Sequence, residues 1–364
     1  MALAPNQQRL MEFLKTKRIG ESVTEAELLQ KTGWKRKTLD TYRSKHYVDP
    51  FLQAQAGRQY RVLRDGDTLS EREIQQAFTQ VRPGLLVLTK GTKLKGADDA
   101  YELIAFIGNG AVADVWRARA EQSQESVAIK VMNPRGDLLD PAHLPNVTHR
   151  FSRESRNSMK LSHPHIVCYR DLGELDKHPF LVMDLADASV AKILESRALK
   201  LEESLTIVHS CLLGLQYLHS NGCIHRDVKP LNMLQFADRF VLGDLGIVQW
   251  PDLNPTFTSA GTITINSIRL GSWNYMAPEQ RAAPHEAGPH SDVYALGISW
   301  YEMLTQKVPD PTAIGAGAFP APTSNPEVDA LIRKMLAYHP TDRPNVTDLV
   351  NKLSELLRMI PQQR

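Results

Sequence analysis

The feature that most constrains how this chain can fold is an ordered series of short motifs in its C-terminal two thirds. HRDVKPLN occupies residues 225–232, DLG follows at 244–246, and APE comes later at 277–279. A single histidine-arginine-aspartate triplet carries little information, but chance does not produce the whole series in this order. The series therefore predicts that residues from Tyr101 onward form one large folded unit.

Two features upstream of that series suit a phosphate group. The stretch GNGAVADV at 108–115 lies between two strand-like segments, and its glycines let the backbone approach a charged group without a side chain in the way. Lys130 ends the apolar run VAIK, where a buried charge needs an anionic partner. Glu154, in a charged segment predicted to be helical, is the candidate partner.

In residue types and order, residues 101–355 resemble the catalytic domain of eukaryotic-type protein kinases. The resemblance implies an α+β, bilobal protein-kinase fold with a small β-rich N-lobe and a larger helical C-lobe. It also implies ATP as phosphate donor, Mg²⁺ or Mn²⁺ as the metal ion, and proteins as substrates. Lys229 resembles the lysine found at this position in serine/threonine kinases, so serine and threonine hydroxyls are the expected acceptors. The chain is expected to be a bacterial kinase of this type.

The same resemblance implies a role for each motif residue. Asp227 would accept or orient the proton of the substrate hydroxyl, and Lys229 would contact the transferred phosphate. Lys130 would hold the α and β phosphates and pair with Glu154. Charged side chains are needed because phosphoryl transfer depends on positioning and charge neutralisation more than on covalent chemistry. The implied nucleotide-binding residues are Gly108, Gly110, Val115, Ala128, Lys130, Asp184, Ala186, Asn232 and Asp244, of which Asn232 and Asp244 are the implied metal ligands.

The run FLVMDLA at 180–186 resembles the strand and hinge that bind adenine in this family. Met183 would be the gatekeeper, while the Asp184 carbonyl and the Ala186 amide would face the base. Ser158 departs from the family pattern, because the position four residues after Glu154 is usually apolar. A polar group there predicts a weaker active position for this helix.

Several nearby residues are predicted to serve structure instead of chemistry. His225 is expected to pack in the core, and Asp292 resembles the aspartate that braces the catalytic loop. Glu279 and Arg343 resemble the ion pair that closes the C-lobe.

The segment between DLG and APE is rich in hydroxyl groups. A phosphate on one of them would carry close to two negative charges and would find a cationic partner in Arg226. Autophosphorylation and simple flexibility both remain open here. The candidate sites are Thr256, Thr258, Ser259, Thr262, Thr264, Ser267 and Ser272.

The N-terminal 64 residues predict a small helical module. Apolar spacing indicates a helix over 7–17, and Thr24 followed by Glu27 forms a capping box that opens a second helix, which Gly33 ends. A third helix is expected over 35–46, with Leu39 and Tyr42 inward, followed by a hairpin within 51–63. This pattern matches a winged helix-turn-helix domain at 1–64. A linker with a helix (70–81) and a short strand (85–89) would follow at 65–100, ahead of the kinase domain at 101–358.

The distribution of charge also divides the chain, near residue 95, just ahead of the predicted kinase domain. Residues 1–95 hold 18 Lys and Arg against 10 Asp and Glu, a net charge of +8, so the whole-chain value of +2 leaves the remainder at −6. A basic module favours double-stranded DNA as a partner of residues 35–61. The alternative is a protein-interaction module that dimerises the kinase or recruits its substrate. The expected DNA contacts are Lys35, Arg36, Lys37 and Arg43 on the third helix and Arg58 and Arg61 on the wing.

No run of 18 or more apolar residues occurs, and the first nine residues lack a signal-peptide core, so no membrane association and a cytoplasmic location are expected. The biological setting stays open among transcription, stress and phage-defence signalling. A different class of function also stays open: a DNA-bound regulator in which ATP binding, and not phosphotransfer, is the switch.

Overall fold

A computed structural model describes most of the chain, in two compact units. Unit 1 comprises Met1–Arg150 and Asp171–Val182, and unit 2 comprises Phe151–Arg170 and Met183–Arg364. The described residues are 5–36, 38–39, 48, 51–55, 59–63, 70, 86, 88–110, 112–134, 144–237, 239–245, 273–315 and 317–359.

The first part of unit 1 combines helices with a small antiparallel sheet. The Thr24 hydroxyl accepts a hydrogen bond from the Glu27 amide at 3.1 Å, and Gly33 ends the second helix with φ at 63°, as predicted. The strands lie in the order β1-β3-β2, so the predicted hairpin is confirmed and a third strand is added. The elements are α1 (Pro5–Leu14), β1 (Ser22–Thr24), α2 (Glu25–Thr32), β2 (Leu52–Gln55) and β3 (Gln59–Val62).

These elements enclose a core of their own. Leu10, Leu14, Leu28 and Tyr60 are buried in it, and so is Leu39, which lies in a helical stretch as predicted. The rest of the third helix, with Lys37, Tyr42 and Arg43, lies outside the described residues, as do Arg58 and the predicted helix over 70–81.

The larger part of unit 1 is a six-stranded sheet in the order β4-β5-β6-β7-β9-β8. Strands β4 to β7 pair with successive neighbours in antiparallel fashion. The strands are β4 (Lys93–Lys95), β5 (Ala100–Asn109), β6 (Ala113–Ala120), β7 (Ser126–Met132), β8 (Tyr169–Leu175) and β9 (His178–Asp184).

Strand β4 lies within the segment that the sequence pattern assigns to a linker. A buried carboxylate explains why it joins the sheet: Asp171 accepts hydrogen bonds from the amides of Ala97, Asp98 and Asp99 and, at 2.8 Å, from the Tyr101 hydroxyl. These bonds fix the turn between β4 and β5. The strand predicted at 85–89 is not found, since residues 86, 88 and 89 have no strand conformation.

Unit 2 is mainly helical, and its small sheet β10-β11-β12 carries the segment around the catalytic motif. The buried Trp300 indole donates to the Ser204 hydroxyl at 3.0 Å and thereby joins the two helices that contain these residues. Its strands are β10 (Ala188–Ser189), β11 (Met233–Gln235) and β12 (Phe240–Leu242). Its helices are α4 (Val190–Leu194), α5 (Leu201–Ser220), α6 (Pro278–Ala282), α7 (Pro289–Thr305), α8 (Pro311–Gly315), α9 (Pro326–Met335) and α10 (Val346–Met359), and α3 (Leu144–Ser158) begins in unit 1 and ends in unit 2. Among the described residues, no helix is long and apolar enough to cross a membrane.

Candidate active site

The loop between α5 and β11 brings three predicted site residues together around one carboxylate. Oδ2 of Asp227 accepts hydrogen bonds from Lys229 Nζ at 2.8 Å and from Asn232 Nδ2 at 3.0 Å. Oδ1 is buried and has no hydrogen-bond partner among the described residues. One carboxylate oxygen is therefore held in place, while the other remains able to accept a proton or a hydrogen bond.

A second, fully buried carboxylate holds the backbone of this loop. Asp292, on α7, accepts hydrogen bonds from the amides of His225 at 2.9 Å and Arg226 at 2.7 Å, and from Nε2 of His219 at 2.8 Å. Arg226 has φ at 65°, a left-handed conformation that costs about 1–2 kcal/mol for a non-glycine residue. The brace predicted for Asp292 is confirmed, and its bonds stabilise this strained backbone.

His225 is buried and uses both ring nitrogens within the protein. Nδ1 accepts from the Asp227 amide at 3.3 Å, so the proton is assigned to Nε2, which lies 3.1 Å from the Gly243 carbonyl oxygen. A ring held in this way positions the loop and does not exchange protons with a substrate, as predicted.

The two predicted metal ligands lie on adjoining segments. The Gly243 amide donates to the Asn232 carbonyl at 2.9 Å, and Asp244, next in the chain, is half-buried with φ at 55°. The Asn232 amide nitrogen is already occupied by Asp227, which leaves its side-chain oxygen as a ligand atom. An amide oxygen and a carboxylate are the donors that Mg²⁺ and Mn²⁺ prefer, so this pair fits a divalent ion.

Tyr169 contacts the same region and carries no sequence motif that identifies it. Its hydroxyl accepts a hydrogen bond from the Leu245 amide at 3.3 Å. Burial, with a further contribution from the negative charge of Asp244, raises the pKa of the Tyr169 hydroxyl and keeps it protonated. Gly246, the last residue of the DLG motif, lies outside the described residues.

In unit 1, the predicted phosphate-binding residues share one corner of the sheet. Val115 is the cross-strand partner of both Gly108 and Lys130. A β-carbon built on Gly108 would meet nothing within 4 Å, so packing does not require a glycine there. The open space beside this backbone fits a bulky anion, and the half-buried Lys130 lies on β7, with only β6 between it and Gly108.

The predicted adenine-binding segment ends β9. Met183 is buried, the Asp184 amide donates to the Cys168 carbonyl at 3.0 Å, and the Asp184 carboxylate forms an ion pair with Arg170. The Ala186 amide has no hydrogen-bond partner among the described residues. A free donor at this position fits the acceptor edge of a purine.

Glu154 and Ser158 are both buried on α3. The Ser158 hydroxyl donates to the Glu154 carbonyl at 2.9 Å, so the helix itself satisfies this polar group. The pairing of Glu154 with Lys130, and the effect of Ser158 on the active position of the helix, remain predictions.

The ion pair predicted for the C-lobe is confirmed. Arg343 donates Nη1 to Oε1 of Glu279 at 2.7 Å and Nη2 to Oε2 at 2.9 Å, a bidentate arrangement in a largely buried setting.

In the N-terminal module, two cations form ion pairs within the module. Lys17 Nζ lies 2.6 Å from Glu21 and 2.8 Å from Glu27, whereas Arg36 lies 3.5 Å from Glu25 and is still 54% exposed. Lys35 is also exposed, so these two residues of the predicted DNA-binding set are accessible.

Comparisons with known proteins match most of the chain. The model of the protein kinase domain matches residues 101–353. The chain is 34% identical over 270 residues to the probable serine/threonine-protein kinase PknB of Corynebacterium glutamicum, covering 67% of this chain and 40% of that protein. It is 34% identical over 212 residues to the serine/threonine-protein kinase PrkC of Bacillus subtilis, covering 57% of this chain and 31% of that protein.

The chain therefore spans less than half the length of these curated relatives. A crystal structure of the PknI kinase domain of Mycobacterium tuberculosis shares the fold, with a TM-score of 0.53 and 24% identity over 74% of this chain and 100% of that one.

Proposed function

Since the chain belongs to the protein kinase family, we propose that it transfers the γ-phosphoryl group of ATP to serine and threonine hydroxyls of proteins. The observation that carries the proposal is the asymmetric environment of Asp227. Lys229 and Asn232 hold one carboxylate oxygen, and the other is buried and has no partner among the described residues. A hydroxyl group donating to that free oxygen would be oriented for attack.

Each remaining site residue has a role that follows from its charge and place. Lys229, already bonded to Asp227, places a positive charge beside the point of transfer, where it stabilises the negative charge of the phosphoryl group. Lys130 and the backbone at Gly108 and Gly110 bind the phosphates. The Asp184 carbonyl and Ala186 amide bind the base, with Val115 and Ala128 lining the nucleotide.

ATP with Mg²⁺ or Mn²⁺ is the nucleotide and metal pair of this family. Asn232 and Asp244 would hold the ion, which neutralises phosphate charge when bound. The contribution of the chain is to keep these two oxygen donors on adjoining segments through the Gly243 amide.

Labelling with γ-³²P-ATP tests the activity. The full chain should label itself or a generic protein substrate, and acid hydrolysis should release phosphoserine and phosphothreonine. Asp244→Ala should abolish labelling because it removes a metal ligand, whereas Lys15→Ala, an exposed charge in the N-terminal module, should not change it. Wild-type protein that binds ATP without labelling any protein would instead favour a nucleotide-controlled switch.

We propose further that residues 1–64 form a winged helix-turn-helix module that binds double-stranded DNA. Support comes from the element order of helix, strand, helix and hairpin, from the net charge of +8 on residues 1–95, and from the exposure of Lys35 and Arg36. Such side chains would contact DNA phosphates, which makes affinity salt-dependent.

A titration of the full chain on duplex DNA at two salt concentrations tests this module. Lys35→Ala and Arg36→Ala should each weaken binding and reduce the slope of log affinity against log salt by about one. Lys15→Ala removes the same charge elsewhere in the module and is the matched control. No binding at low salt, together with a dimer in light scattering, would assign the module to pairing of two chains.

A further inference from the structure

The segment just before the catalytic region is built into the sheet of unit 1. Leu86, Leu88 and Leu94 are buried in the same hydrophobic cluster as Trp116 and Val131 of the sheet. Strand β4 also pairs with β5, with Leu94 opposite Tyr101. The described residues of this segment (86 and 88–95, the docking segment) are therefore a fixed part of the structure that carries the predicted phosphate-binding residues.

One fully buried side chain connects the docking segment to that site. Asn133, which follows β7, uses its amide group on the backbone of Leu86: Nδ2 donates to the Leu86 carbonyl at 2.8 Å, and Oδ1 accepts from the Leu86 amide at 3.1 Å. Nδ2 also donates to Oδ2 of Asp114 at 2.8 Å, and the backbone amide of Asn133 donates to the Val112 carbonyl at 2.8 Å.

These bonds link the end of β7, which carries Lys130, to the start of β6, which carries Val115. Val112 and Asp114 belong to the glycine-rich turn and the start of β6, and Asp114 directly precedes Val115. Asn133 itself lies three residues after Lys130. A displacement of the Asn133 side chain would thus move the turn and the strand that carries the lysine.

Only a neutral amide satisfies this arrangement. The side chain at 133 must donate to a carbonyl and a carboxylate while it accepts from an amide, all in a buried setting. A carboxylate at 133 would face two acceptors, one of them negatively charged, and would have no proton to donate to either.

We propose that Asn133 is a positioning residue for the glycine-rich turn and that the backbone of Leu86, at the start of the docking segment, is the second half of this clamp. The chain ahead of the catalytic region thereby helps to set the affinity for the nucleotide. This inference rests on the proposed kinase function only for its kinetic readout, because nucleotide binding can be measured separately.

The test compares three substitutions in the full chain. Asn133→Asp changes the hydrogen-bonding character at nearly constant shape, and Leu86→Pro removes the amide donor from the docking segment together with part of the Leu86 packing. Leu88→Ala is the matched control, since Leu88 is also buried in the cluster but has no hydrogen bond to Asn133. The measurements are the Kd for Mg²⁺-ADP by calorimetry, KM for ATP, kcat, and the melting temperature.

Asn133→Asp should raise Kd and KM about tenfold, and Leu86→Pro about threefold to tenfold, because each loses hydrogen bonds that hold the glycine-rich turn. Changes in kcat should stay within about threefold. Leu88→Ala should lower the melting temperature and leave Kd and KM within about twofold. If Asn133→Asp does not fold, Leu86→Pro against Leu88→Ala carries the comparison.

Unchanged Kd and KM in both Asn133→Asp and Leu86→Pro would overturn the inference, and so would an equal rise in Leu88→Ala. Wild-type protein that binds Mg²⁺-ADP but transfers no phosphate would contradict the proposed function alone. The Kd comparison would still decide the role of Asn133.

Discussion

Replacing Asp292 by asparagine removes the brace of the catalytic loop at nearly constant volume. An asparagine oxygen can replace only one of the two carboxylate oxygens, and its NH₂ group then faces a backbone N–H. Since Oδ2 accepts two bonds and Oδ1 accepts the Arg226 amide, the favoured orientation leaves that amide unpaired in the interior. An unpaired buried donor costs about 1–3 kcal/mol.

The released backbone adds to this cost. Arg226 has φ at 65°, and a left-handed non-glycine residue lies about 1–2 kcal/mol above the right-handed form. The total is about 2–5 kcal/mol, and relaxation of Arg226 would displace the adjacent Asp227. If half of this free energy is lost from the transition state, kcat falls roughly 5- to 60-fold, at about 1.4 kcal/mol per factor of ten.

The assay is steady-state phosphotransfer over a range of ATP concentrations, at a temperature where circular dichroism shows the variant folded. Ser299→Ala is the control, because Ser299 is equally buried on α7 but bonds only to the Ala295 carbonyl of its own helix. Asp292→Asn with a wild-type kcat would refute the account of the loop.

Two further predictions concern the buried Tyr169 and the half-buried Glu302. Tyr169→Phe keeps the ring packing but leaves the buried Leu245 amide without its acceptor, which costs about 1–3 kcal/mol, so it should lower both kcat and the melting temperature, as kinetics and thermal unfolding can check. Burial raises the pKa of Glu302, partly offset by its bond to the Tyr275 hydroxyl. Its protonated form is favoured in the fold, so stability falls as pH rises from about 4.5 through the raised value. Glu302→Gln should therefore raise the melting temperature at pH 8 more than at pH 5, and an equal shift at both would contradict this.

Much of the site could be predicted because its residues lie in short, ordered motifs. Asp227, Lys229 and Asn232 fall within six residues, and the loop between α5 and β11 brings their side chains into contact. The local sequence signals in the N-terminal module also predicted the second helix correctly. Thr24 and Glu27 mark its start, and Gly33 marks its end.

The features that were missed depend on contacts between distant positions. Strand β4 is a Lys-Leu-Lys triplet, too short for its alternation to identify a strand, and its pairing with β5 and the carboxylate of Asp171 stabilise it. Asn133 bonds to Leu86 across 47 residues, and Tyr169 reaches Leu245 across 76. Neither pairing has a local sequence signal, since each depends on the packing of the finished sheet or loop.

A single-turnover measurement tests the central claim most directly. Wild-type protein and Asp227→Asn are loaded with Mg²⁺-ATP, mixed with a protein substrate, and the rate of phosphate transfer is followed. The free oxygen of Asp227 predicts that the asparagine variant binds the nucleotide with an unchanged Kd but transfers phosphate about 10²- to 10⁴-fold more slowly. Equal transfer rates at equal nucleotide occupancy would contradict the assignment of Asp227 as the residue that accepts the hydroxyl proton.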